Sequence, residues 1–328
     1  MFYPNLIKER KTIMSEKNLR YSLYLGCVIP NRYPFIEQSI RNTFKELGIE
    51  LVDMQGASCC PAPGVFRGFD ITTWLVIGAR NISIAEENEA DITLGCNGCY
   101  ATLLEVNYQL KHDKKKRDMV NKHLAKIGRE FKGTIEVKHL IEVLYYDFGI
   151  DKLKDYVKIK FPDLRVGVHY GCHIIKDSSH RPWGGEFEEP RFFDELVEIT
   201  GAKSIDYKDK LMCCGAGGAV RTASLEVSLD FTREKLENMR NVNVDCCMVC
   251  CPFCHLQMDL GQMQVNDKFK DIIGESYKLP IIFYNQLLGL AMGMNPGDLG
   301  LVAAHDLKGV PPFISIQPFM EKIKEQMV

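Results

Sequence analysis

Apolar residues alternate with small or polar ones along Tyr21-Ser-Leu-Tyr-Leu-Gly-Cys27, which predicts a β-strand ending in glycine and cysteine. Leu164-Arg-Val-Gly-Val-His-Tyr-Gly-Cys172 repeats the pattern in the second half. Helical periodicity follows each strand, at residues 33–47 and 190–200, and then a short strand, at 50–54 and 203–207. A glycine- or proline-rich turn comes next in both places, Pro61-Ala-Pro-Gly64 and Gly215-Ala-Gly-Gly218. Long helices at 71–88 and 223–239 lead to third strands at 90–94 and 244–249, each running into a turn that opens another helix. His139-Leu-Ile-Glu-Val-Leu144 also pairs with Asn285-Gln-Leu-Leu-Gly-Leu290. The basic run Lys111-His-Asp-Lys-Lys-Lys-Arg117 has no such counterpart and reads as a solvated helix end or insertion. One unit is present twice.

Strands alternating with helices of about 10–15 residues indicate a parallel sheet of α/β type. The expected architecture is two pseudo-symmetric Rossmann-like domains with mainly parallel sheets, at residues 20–150 and 151–295. A charged leader at 1–19, within which Met14 is a second candidate start, precedes them, and an arm at 296–328 follows. In such sheets, sites gather at the carboxyl ends of the strands.

With 328 residues, 46% of them hydrophobic, each half can bury a core of its own. The 41 Lys and Arg nearly balance the 43 Asp and Glu, which points away from nucleic acid or a membrane surface as the main partner. No apolar run approaches the roughly 20 residues of a membrane span, and the first residues lack the apolar stretch of a secretory signal. The expected location is the cytoplasm.

Thirteen cysteines then need an explanation. Their number is odd, cytosolic thiols stay reduced, and adjacent cysteines make poor disulfide partners, so a disulfide framework is disfavoured. Ten of them form one pattern twice. Cys27 is followed after 31 residues by Cys59-Cys60, and after 35 more by Cys96-Asn-Gly-Cys99. Cys172 is followed after 40 residues by Cys213-Cys214, and after 36 more by Cys251-Pro-Phe-Cys254. Two sets of five soft ligands imply two soft-metal centres of iron–sulfur type, suited to moving electrons. Zinc in the first half is the alternative, since C-x-x-C is also a zinc element, although zinc closes with four ligands.

The crowded segment Cys246-Cys-Met-Val-Cys-Cys-Pro-Phe-Cys254 offers a second frame, Cys247/Cys250, but its spacing from Cys214 falls short of the first repeat by three residues. Cys246, Cys247 and Cys250 are expected to be buried, small apolar residues of the strand. Gly26, Gly171, Gly95 and Gly98 would let the backbone approach the ligand sulfurs, or are ordinary loop glycines.

The doubled pattern Cys…Cys-Cys-Gly…Cys-x-x-Cys resembles the CCG cysteine-rich domain, and residues 20–295 are similar to the B-subunit family of heterodisulfide reductases from methanogens. One departure is Cys59-Cys60-Pro61, which has proline where the motif has glycine. The resemblance implies a noncubane 4Fe-4S cluster in each half, held by Cys27, Cys59, Cys60, Cys96 and Cys99 and by Cys172, Cys213, Cys214, Cys251 and Cys254. It further implies that the pair reduces the mixed disulfide of coenzyme M and coenzyme B to two thiols, one electron per cluster.

Such a substrate is anionic. Arg67 and Arg221, each seven positions beyond a cysteine pair, are candidate anchors for it, or else make surface ion pairs and helix-terminal contacts. His173 and His255 each follow a ligand cysteine and are candidate proton donors, or else hydrogen-bond backbone or cluster sulfide. Lys176, Lys208 and Lys210 lie nearby without a pattern that assigns them a role.

The chain has no ferredoxin-type cysteine run, no G-x-G-x-x-G and no flavin fingerprint. Electrons must therefore come from partners, which the resemblance identifies as the ferredoxin-like C subunit and the flavin-bearing A subunit, with hydrogenase or formate dehydrogenase upstream. The arm from Val310 onward either docks on such a partner or straps its own domain. The rival function is electron transfer within a quinone-linked succinate, glycolate or lactate oxidoreductase. A zinc-holding scaffold is the other.

Overall fold

The computed structural model describes residues 19–176, 181–183, 187–301 and 311–327. The expected leader lies outside these residues except for Leu19. The first four strands are β1 (Arg20–Tyr24), β2 (Glu50–Asp53), β3 (Asp91–Leu94) and β4 (Val137–His139). They form an all-parallel sheet in the order β2-β1-β3-β4. The next four, β5 (Arg165–His169), β6 (Lys203–Ser204), β7 (Cys246–Val249) and β8 (Ile281–Phe283), repeat it as β6-β5-β7-β8. The α/β architecture of two similar parallel halves is the expected one.

Register makes the repeat close enough to equate positions. Tyr24 pairs with Leu94 across β1 and β3, and His169 pairs with Val249 across β5 and β7. Leu94 pairs with His139 and Val249 with Phe283, so His139 corresponds to Phe283. The sequence pairing of His139 with Asn285 is therefore two residues out. Both His139 and Phe283 cap the helix that follows, and leucines at helical spacing let the two strings match in more than one frame.

The helix Pro34–Glu46 starts at a proline and buries Phe35, Ile36, Ile40 and Phe44, a stripe of apolar residues at helical spacing. That stripe packs against Leu287, Leu288 and Leu290 of the helix Tyr284–Ala291, which belongs to the second sheet. Asn285 Nδ2 donates to Thr43 Oγ1 at 2.7 Å in the same contact. One apolar core thus runs through both halves, and the first half has a second one of its own around Trp74, Ile82 and Leu103. The basic run after Asn97–His112 breaks at Asp113, whose carboxylate accepts from Lys116 N and caps a further helix, Lys114–Leu124.

The last described segment straps its own fold. Phe313 N and Ile314 N donate to the Asp259 carboxylate at 3.0 and 2.8 Å, and Arg32 donates to Pro311 O at 2.8 Å. Phe319 and Ile323, on the helix Gln317–Lys324, are fully buried in the shared core. Replacing Phe319 with alanine is expected to cost about 3–5 kcal/mol of stability. Urea denaturation checks this, and an unchanged midpoint would mean that the arm does not pack there.

Candidate metal centres

The carboxyl ends of the strands position every cysteine of the repeat. Cys27 caps the short helix Val28–Arg32 after β1, and Cys172 opens Cys172–Ile175 after β5. Cys96 caps Asn97–His112 after β3, with Cys99 in its first turn. Cys251 caps Pro252–Lys268 after β7, with Cys254 in its first turn. The paired cysteines sit on loops that meet across the pseudo-twofold, where a Cβ on Gly64 would lie 3.2 Å from Gly218 Cα.

Glycine before the first cysteine is a geometric requirement at Gly26 and Gly171. Both have positive φ, +67° and +73°. A Cβ on Gly26 would sit 2.9 Å from Cys99 Sγ, and one on Gly171 would sit 3.1 Å from Cys254 Sγ. The backbone is pressed against a sulfur in the same way in both halves.

The sulfurs form a continuous series. Cys27 contacts Cys59, Cys59 contacts Cys60, and Cys60 Sγ lies 3.0 Å from Cys99 Sγ, which neighbours Cys96. In the second half Cys172 contacts Cys213, Cys213 contacts Cys214, and Cys214 Sγ lies 3.7 Å from Cys254 Sγ, which neighbours Cys251. Cys96 Sγ and Cys251 Sγ are 3.9 Å apart and join the two series at the pseudo-twofold. None of the 13 cysteines is bridged to another in a disulfide. The disulfide framework is absent.

Crowding splits the acidities. The Cys60 thiol is held well below its ordinary value by hydrogen bonds from Cys59 and Cys99. Hydrogen bonds from Cys172 and Cys214 do the same for Cys213. Cys251 is held low against desolvation by hydrogen bonds from Cys254 and Cys96. The sulfurs that donate are raised in turn: Cys214 is pushed up to about 12 by its bond to Cys213, and Cys96 and Cys99 rise through their bonds to Cys251 and Cys60. Five thiolates in contact therefore need positive charge among them. Soft metal ions suit that donor set.

The structure brings a histidine into the second set that the sequence did not single out. His169, the last residue of β5, offers a ring nitrogen within 4.8 Å of Cys214 Sγ and Cys254 Sγ. It is buried, burial depresses its basicity to about 3, and neither nitrogen has a hydrogen-bond partner among the described residues. Lys235, on the helix Leu225–Asn241, is also fully buried close to these thiols. Desolvation lowers its ammonium to about 8.

The other candidates are placed as follows. Arg67 is exposed, 3.6 Å from Glu105 and over the Trp74 ring. Arg221 is half-buried and donates to Gln257 Oε1 at 2.8 Å and Gln264 Oε1 at 2.6 Å. His255 is buried edge-on to Tyr33 and Phe35, with both nitrogens unpartnered among the described residues. His173 is half-buried, and desolvation lowers its basicity. A further guanidinium, that of Arg181, donates to His173 O at 3.0 Å and lies 4.5 Å from the Tyr100 ring centroid. Cys246, Cys247 and Cys250 are buried in and just after β7, and Cys250 occupies the position of Gly95 in the first half.

The cysteine-rich domain family, CCG, matches residues 21–104 and 166–259, one match per sheet. The B subunit of the ferredoxin:CoB-CoM heterodisulfide reductase of Methanosarcina mazei is 50% identical over 86% of this chain and 92% of its own length. The chain belongs to the B-subunit family of heterodisulfide reductases. The corresponding protein of Methanosarcina acetivorans, named as ferredoxin/F(420)H(2)-dependent, is 51% identical over the same shares. The membrane anchor subunit of 8-methylmenaquinol:fumarate reductase from Wolinella succinogenes is 28% identical over 86% of this chain and 95% of its own. Among solved structures, a hypothetical protein from Helicobacter pylori superimposes with a TM-score of 0.67 at 14% identity, over 90% of this chain and 55% of that one, and shares the fold. No helix among the described residues is long and apolar enough to cross a membrane.

If the family's cysteines are those of the two series, Cys246→Ala should keep the full metal content and lose about 1 kcal/mol of stability, whereas Cys251→Ser should lose metal from the second centre. Metal analysis of the two purified variants separates them. Equal metal loss in both would contradict the placement of Cys246 in the core.

Proposed function

We propose that this chain is the catalytic subunit of a heterodisulfide reductase, acting on the disulfide of coenzyme M and coenzyme B. The observation that carries the proposal is the 3.9 Å contact of Cys96 and Cys251, which joins two five-sulfur sets into one site. Membership of the B-subunit family supports the same activity. Cys27, Cys59, Cys60, Cys96 and Cys99 would hold one noncubane 4Fe-4S cluster, and Cys172, Cys213, Cys214, Cys251 and Cys254 the other. When bound, the pair supplies two electrons, one to each sulfur of the substrate disulfide. The products are two thiols, so two protons must also arrive.

The protein's own groups have the complementary tasks. Cys60, Cys99, Cys214, Cys251 and Cys254 are buried away from water, while Cys27 and Cys59 are exposed and leave one end open. Arg181, held by His173 O and Lys176 O, fixes positive charge at the turn that carries Cys172, for an anionic substrate. His173, half-buried directly after Cys172, is the candidate group to pass a proton to a departing thiolate. Electrons would come through the ferredoxin-like C subunit from the flavin-bearing A subunit, with hydrogenase or formate dehydrogenase upstream, in the reducing cytoplasm. The Wolinella relative favours a second function, electron transfer to or from a quinone.

Anaerobically purified protein should contain roughly eight irons with matching labile sulfide per chain, and should oxidise a reduced viologen only when the heterodisulfide is added. Zinc without labile sulfide would overturn the proposal. Turnover with a quinone and none with the disulfide would replace it with the second function.

A further inference from the structure

The equivalence of the two halves exposes where they differ. Register places Tyr24 and His169 at the same strand position, three residues before Cys27 and Cys172. Tyr24 Oη is committed to backbone, donating to Ser58 O at 2.7 Å. His169 has no such partner among the described residues and is 1% exposed, with a ring nitrogen within 4.8 Å of Cys214 Sγ and Cys254 Sγ.

The flanking helices differ in the same sense. Ile71–Glu87 and Leu225–Asn241 begin at equivalent places, so Asn81 and Lys235 each stand ten residues into their helix. Asn81 Oδ1 accepts from Ser58 N at 3.0 Å and from Arg80 Nη1 at 3.2 Å, and Asn81 itself brings no charge. Lys235 is fully buried, and its Nζ donates to Asp209 O and Lys210 O at 3.1 Å each. The first set is thus backed by a phenol and an amide, the second by an imidazole and an ammonium.

Adding an electron to a thiolate-bound centre adds negative charge to a buried site. A fixed cation and a hydrogen-bond donor aimed at sulfur both stabilise the reduced form. We propose that His169 donates an N–H to a sulfur of the second centre and that, with Lys235, it makes this centre the more easily reduced of the two. The inference rests on the proposal that both cysteine sets hold iron–sulfur clusters. Electrons reaching the pair settle first in the second half, and the disulfide sulfur nearest that half is the first to receive one.

Redox titration of the full chain, followed by electron paramagnetic resonance, tests this. Cys27→Ser and Cys172→Ser assign the two signals. His169→Phe should keep iron and sulfide but lower the reduced-to-oxidised ratio of the second centre at least tenfold at fixed potential, 59 mV for a one-electron couple. Lys235→Met should act in the same direction, His169→Gln should restore part of the shift, and Tyr24→Phe should move neither centre. Unmoved potentials with full iron would overturn the proposal while leaving the function intact. A wild type without iron would overturn both. Histidine nitrogen hyperfine coupling in the labelled wild type needs no variant. A weak coupling through a hydrogen bond is expected, and a directly bound nitrogen would overturn the donor role.

Discussion

Thiolates repel one another, and a fold that presses five of them together twice must supply a reason for them to stay. Here the backbone does the pressing. Parallel strands end at one edge of each sheet, glycines with positive φ bring the chain against Cys99 and Cys254, and the C-x-x-C helices begin where the third strands stop. Crowding drives neighbouring thiols to opposite acidities, Cys60 and Cys251 down and Cys96 and Cys99 up. Metal cations resolve it without protons, so the same packing that crowds the bare site favours the loaded one.

Everything else positions this meeting of sulfurs. The helix Pro34–Glu46 of one half packs on Tyr284–Ala291 of the other, and Asn97 Nδ2 donates across the pseudo-twofold to Tyr170 O at 2.8 Å. These contacts fix the separation of Cys96 from Cys251. The arm that closes over Asp259 and Tyr33 adds to the rigidity of the second half rather than reaching outward.

The strand–helix alternation, the duplication and the ten clustered cysteines were legible because each is local: an alternating strand, a turn, a C-x-x-C at a helix start. Edge strand β6 is shorter than its apolar pattern suggests, because the chain leaves the sheet after Ile205 N bonds Val166 O, and Tyr207 turns into the core instead. His169 and Lys235 were not legible as site residues. Their place depends on which face of a strand and of a helix meets the cysteines, and only tertiary packing decides that. Comparing Tyr24 with His169 across the repeat was the one signal available in the sequence.

If each cysteine set holds a cluster, the 3.9 Å contact of Cys96 and Cys251 makes the two sense each other magnetically. Electron paramagnetic resonance of the fully reduced protein measures this directly. Split or broadened signals that simplify when either five-cysteine set is disrupted are the predicted result. Two sharp, independent spectra in the fully reduced state would contradict the account.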